Sequence, residues 1–195
     1  DMGLRQGDTL RPLEVSQAPL MAALSPGLWC WPGRRNHESY DRQYLSLPVN
    51  AATVCELIEE AVVHLMKAPP NHSSIMQVRS SGDAQRVVIW VFTKRGWLDV
   101  IELRLRKANA FPSCSADATH STLVRAHSWS TGFFTLVTPC APLTNAICCC
   151  IPFFDFGVHD ARLTLLREEI LRCADCYEAG TETASAPVPS QMGRE

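Results

Sequence analysis

Apolar positions recur at helical spacing in two stretches of the chain and alternate with polar ones in several shorter runs. Residues 50–67 place Val54, Ile58, Ala61, Val62 and Leu65 on one face of a helix. Asn50 suits its N-cap, Lys67 its negative C-terminal end, and Pro69 with Pro70 its stop. Residues 158–177 repeat the pattern with Leu163, Leu166, Ile170 and Cys173, preceded by Asp155 or His159 as a cap and closed by Gly180. Between the two helices the spacing predicts strands over 75–79, 86–93, 97–106 and 122–128, with turns at 81–83 and 94–96. In the third run Ile101, Leu103 and Leu105 alternate with Glu102, Arg104 and Arg106, the mark of one buried and one wet face. Residues 109–120, which include Cys114, read as a small polar loop. Helix, strands, loop and helix in that order predict an α+β domain: an antiparallel sheet of about four strands covered on one face by two helices.

Flanking this domain, 34–180, are two segments without a sustained period. Residues 1–33 hold Pro12, Pro19, Pro26 and Pro32 and are expected to run as an extended arm with one short helical turn near Met21. Residues 181–195 read as a tail.

Residues 126–154 contain no Asp, Glu, Lys or Arg, and from Phe133 the chain reads FFTLVTPCAPLTNAICCCIPFF. Such a stretch lies under its own fold, against another protein, or in a membrane interface. Pro139, Pro142 and Pro152 would break the hydrogen bonding of a clean membrane span. The expected contact residues for a partner or membrane are Trp29, Trp31, Phe133, Phe134, Leu136, Val137, Leu143, Ile147, Ile151, Phe153 and Phe154. Trp90, Trp97 and Trp129 read as core or interface anchors.

A chain of 195 residues suits one domain with extensions, and 46% hydrophobic content with a net charge of -2 describes an ordinary globular protein. Its basic residues are scattered along the sequence, with Arg104, Arg106 and Lys107 as a small cluster, so nucleic acid is not an expected partner. Nine cysteines form no regular framework, and the odd number leaves at least one thiol without an internal partner. The start at Asp1, with no basic segment leading into an apolar one, creates the expectation that a targeting peptide has been removed.

Candidate chemistry is sparse. Cys173 and Cys176, with Cys148, Cys149 and Cys150, offer thiolates of the kind zinc takes, but late in a helix the pair reads as packing before it reads as a disulfide or redox couple. The triple cysteine also suits acylation. His127, Ser128, Asp155 and His159 include the residue types of a hydrolase, yet no nucleophile elbow, phosphate loop or His-Glu-x-x-His motif accompanies them. No catalytic residue, metal or cofactor is assigned.

At 155–162 the chain reads Asp-Phe-Gly-Val-His-Asp-Ala-Arg. This resembles the closing motif of the family domain of unknown function 1499, found in bacteria and plastid-bearing eukaryotes, with Asp155, Gly157, Val158 and Arg162 matching. His159 and Asp160 stand where that motif has Asn and Arg. Cys30, Pro32 and Asn36 are similar to the family's opening, and Leu47, Pro48 and Val49 lead into a helix as its members do, so the resemblance spans about residues 30–172. The family's arginine- and serine-rich strand keeps only Arg125, Ser128 and Gly132, and 133–154 reads as an insertion. The resemblance implies a recruited accessory protein rather than an enzyme: a non-catalytic subunit of a large plastid membrane complex, thylakoid by expectation, docked through arm, tail and apolar loop. The alternatives are a soluble module that encloses a small apolar ligand near Trp90, Phe92 and Ile101, and a thiol-redox or hydrolytic enzyme.

Overall fold

The computed structural model describes residues 10–29, 38–67, 75–80, 85–107, 121–149 and 157–184. The fold is α+β, as its sequence pattern predicts. Among the described residues, five strands form one antiparallel sheet: β1 (Glu38–Leu47), β2 (Ile75–Ser80), β3 (Arg86–Phe92), β4 (Leu98–Lys107) and β5 (Thr122–Ser130), in the order β1-β5-β4-β3-β2. Helices α2 (Ala51–Lys67) and α4 (Val158–Ala184) cover one face. Helices α1 (Pro12–Leu24) and α3 (Ala141–Ile147) pack on one end of the other face, with a 3-10 turn at Pro26–Trp29 after α1 held to the end of β5 by Gly27 N donating to Thr131 O.

The main core lies under α2 and α4. Val54, Leu57, Ile58, Ala61 and Val62 of α2 and Leu163, Leu166 and Ile170 of α4 meet Ile89, Ile101, Leu103, Val124 and Ala126 of the sheet. At about 1.5–3 kcal/mol for each fully buried aliphatic side chain, this cluster dominates the stability of the domain. Asn50 caps α2 as expected, its Oδ1 accepting from Thr53 N at 3.0 Å.

Four elements differ from the sequence expectation: β1, α1, the short α3, and α4, which runs on to Ala184 past the Gly180 expected to close it. Strand β1 is extra, because ESYDRQYLSL is largely polar and its pairing with β5 slips between Asp41 and Leu45, so the period of 2 is broken inside the strand. It sits at the sheet edge, where such a strand is tolerated. The expected extended arm is instead the 13-residue helix α1 over much of its length. Pro12 occupies the first turn, where its missing N–H costs nothing, and Arg11 N donates to Glu14 Oε2 at 2.7 Å. Pro19 lies inside the helix and removes only the bond to Val15, whose exposed position leaves that carbonyl to solvent. Ala18 and Met21 bury against Phe92, Leu98 and Leu136.

The apolar stretch is not a single loop. Residues 133–140 turn over the sheet end and 141–147 form α3, with Leu136, Ala141 and Asn145 buried. Among the described residues, no helix is long and apolar enough to cross a membrane.

Candidate functional site

Three places bring functional residue types together. The first is the α1–α3 end of the molecule. Gln17 of α1 holds the two helices in register: its Nε2 donates to Leu136 O and Thr138 O at 2.9 and 3.0 Å, and its Oε1 accepts from Ala141 N at 2.7 Å. Leu13, Leu20 and Leu24 recur one and two turns from Gln17 on the same flank of α1 and remain exposed. Leu143 and Ile147, one turn apart on α3, are 61% and 73% exposed. Trp29, half exposed, donates from Nε1 to Leu24 O at 2.9 Å and continues the same surface.

Of the contact residues expected from sequence, Trp29, Phe133, Leu143 and Ile147 are exposed. Leu136 is not: at 1% exposure it belongs to the core beneath α1, because the chain folds back over Leu98 and donates Leu136 N to Gly96 O at 2.7 Å. Phe134 and Val137 are partly buried, Phe134 edge-on to Phe133 and Val137 against Gly96. Trp31, Ile151, Phe153, Phe154 and Asp155 lie outside the described residues. Sequence reasoning missed Leu13, Leu20 and Leu24, whose heptad-like recurrence was the available signal.

The second place is a polar chain buried between β5, β4 and the start of α4. Ser130 Oγ donates to Asp99 Oδ1 at 2.5 Å and so accepts from His159 Nε2 at 3.1 Å. That assigns the proton of a neutral imidazole to Nε2, and His159 Nδ1 accepts from Ser128 Oγ at 2.8 Å. Arg162 pairs with Asp99 at the far end. Gly157, in the left-handed region at φ +78, turns the chain into α4 just ahead of His159 and Arg162. The structure thus joins two residues of the closing motif to Ser128, while His127 points to the opposite sheet face and pairs with Glu38 at 3.2 Å. Asp99 and Ser130 carried no sequence signal as partners. The arrangement could relay a proton from Ser128 toward Asp99, but Ser128 and His159 are 0% and 1% exposed, so no substrate atom reaches the hydroxyl in this state. What it does is tie α4 to the sheet.

The third place lies between α2 and α4. Glu60, His64 and Cys173 place donor atoms within 4.8 Å of one another. Arg172 donates to His64 Nδ1 at 2.7 Å and to Glu169 Oε1 at 2.5 Å. Burial, then the carboxylates of Glu60 and Glu169, push the Cys173 thiol up, so it holds its proton at neutral pH. A metal ion would have to displace a guanidinium and ionise that thiol. As arranged, Arg172 and Glu169 form an ion pair within α4, and Arg172 ties it to α2 through its hydrogen bond to His64. Cys173 is buried and Cys176 exposed, and no bond joins them.

No family model matches the chain, and the comparisons with curated proteins and with solved structures give no match either.

Proposed function

We propose that the chain is a non-catalytic accessory subunit that docks through its α1–α3 end onto an apolar surface of a larger membrane protein complex. The observation that carries this reading is the exposure of Leu13, Leu20, Leu24, Leu143 and Ile147 on two adjoining helices and of Trp29 on the turn after α1, outside the buried cluster of Ala18, Met21, Phe92, Leu98 and Leu136. Apolar surface of this extent draws a partner, because covering it removes area from water at about 25 cal/mol per Å². The membrane setting draws on the uncharged character of 126–154, and the plastid expectation draws on the family resemblance alone.

The apolar-ligand alternative requires Trp90, Phe92 and Ile101 to line one pocket. Ile101 lies in the core under α2 and α4, whereas Phe92 and Trp90 pack in the other cluster under α1, so the three do not face one cavity. The docking reading is tested by affinity purification from native membranes in mild detergent, with mass spectrometry of what remains bound. A stoichiometric membrane complex supports it; a free chain opposes it.

A further inference from the structure

Among the described residues, α1 covers one end only of the sheet face opposite α2 and α4. At the uncovered end, arginines that are far apart in sequence fall into one row. Arg86 of β3 pairs with Arg104 of β4, and Arg104 pairs with Arg125 of β5, all directly opposite across the ladder. Adjacent strands lie about 4.7–4.9 Å apart, so three like charges are stacked where each opposes its neighbour. The next row sets Glu102 against His127 and His127 against Tyr40.

Tyr40, Glu102, Arg104, Arg125, Ala126 and His127 line a pocket of about 110 Å³. Glu102 offsets part of the charge: its Oε2 accepts from Arg104 at 3.1 Å and its Oε1 lies 2.5 Å from Arg86 Nε. Among the described residues no carboxylate pairs with Arg125, and its Nε is buried without a hydrogen-bond partner. Leaving a buried cationic donor unmatched costs free energy that an anion in the pocket would recover. Of the lining residues, Arg104 and Arg125 against Glu102 leave one positive charge, and just outside the pocket Arg86 pairs with Glu102 and Glu38 with His127. Tyr40, 54% exposed and edge-on to His127 at 5.5 Å, offers a ring at the pocket's rim.

We propose that this pocket binds the phosphate group of a small phosphate monoester. A phosphate monoester carries about -1.5 to -2 charge at neutral pH and three strong acceptor oxygens, enough to meet the orphaned Nε of Arg125 and the Arg104 guanidinium together. The guanidinium fork of Arg125 suits phosphate oxygens. The volume admits one phosphoryl group and leaves the organic part over Tyr40. The site is separate from the α1–α3 docking surface and does not depend on it.

The test is isothermal titration calorimetry of the full chain with phenyl phosphate, inorganic phosphate, dimethyl phosphate, phenylacetate and a single-stranded oligonucleotide. Phenyl phosphate is expected to bind more tightly than inorganic phosphate, and dimethyl phosphate and phenylacetate, each a monoanion, more weakly than either. Arg125→Gln is expected to weaken phenyl phosphate about tenfold or more. Tyr40→Ala is expected to reduce the preference for phenyl phosphate over inorganic phosphate without affecting inorganic phosphate. Circular dichroism melts identify any variant that fails to fold, and Arg104→Gln, at an exposed position, serves as the second charge variant. No heat with any anion, equal binding by wild type and Arg125→Gln, or tightest binding by the oligonucleotide with a steep salt dependence would each overturn the proposal, the last in favour of nucleic acid.

Discussion

Asn145 occupies the space that a side chain at position 132 would need: a Cβ on Gly132 would come within 2.4 Å of Asn145 Cγ and Oδ1. The close approach lets one amide pin the returning segment, with Oδ1 accepting from Phe134 N at 2.7 Å and Nδ2 donating to Phe134 O at 3.0 Å and Ala141 O at 2.9 Å. α3, and with it Leu143 and Ile147, is held in place by this contact.

Gly132→Ala therefore forces Asn145 out of its bonds. The expected loss is about 1–3 kcal/mol, from overpacking and from backbone groups left without partners. Asn145→Ala removes the same bonds without the clash and is expected to cost about 1–3 kcal/mol. Urea denaturation of both variants checks this, and Gly132→Ala in the Asn145→Ala background is expected to cost less than alone, because the two nearest clashing atoms have gone and only the Cβ of residue 145, at 2.9 Å, remains.

The pair of Arg162 with Asp99 is largely buried, at 14% and 6% side-chain exposure. Arg162→Met is expected to destabilise the domain by about 3–5 kcal/mol, because Asp99 keeps a buried charge with only Ser130 to bond it. Asp99→Asn combined with Arg162→Met should recover part of that loss, measured as unfolding midpoints. Recovery of none would show that the cost arises from lost packing instead.

The parts of the fold written in strong periodicity were legible: α2, α4 and the inner strands carry buried residues at spacings of 3.6 or 2, and Asn50 caps as its position predicts. Strand β1 was not, since its bulge and polar composition erase the alternation. α1 was masked by Pro19, which tertiary packing of Ala18 and Met21 overrides. Within the candidate sites, Arg162 and His159 were singled out as a motif, but Asp99, the partner of Arg162, lies 63 residues away from it, and no local pattern encodes that distance. The arginine row depends on strand register and was equally invisible.

Glu169 is held below its usual range chiefly by the hydrogen bond from Arg172, with burial acting in the opposite direction. A carboxylate with a depressed folded pKa contributes stability that is present above its unfolded value, about 4.3, and is lost as pH falls through the lower folded value. Wild type should therefore exceed Glu169→Gln in stability at neutral pH, and the difference should shrink on acidification below about pH 4. Urea midpoints of the two proteins across that range decide it; a constant difference contradicts the pairing of Glu169 with Arg172.

Leu136 and Leu143 lie seven residues apart and should respond in opposite ways. Leu136→Ala opens a cavity in the cluster under α1 and is expected to cost about 2–5 kcal/mol. Leu143→Asp and Ile147→Asp alter exposed positions and should change stability by no more than about 0.5 kcal/mol each. The most direct measurement is the native mass of the tagged protein extracted from its own membranes, wild type beside the Leu143→Asp/Ile147→Asp variant. Wild type is expected in a complex of fixed stoichiometry, and the variant as a folded free chain. A variant that stays in the same complex would show that α3 is not the docking surface and would contradict the account.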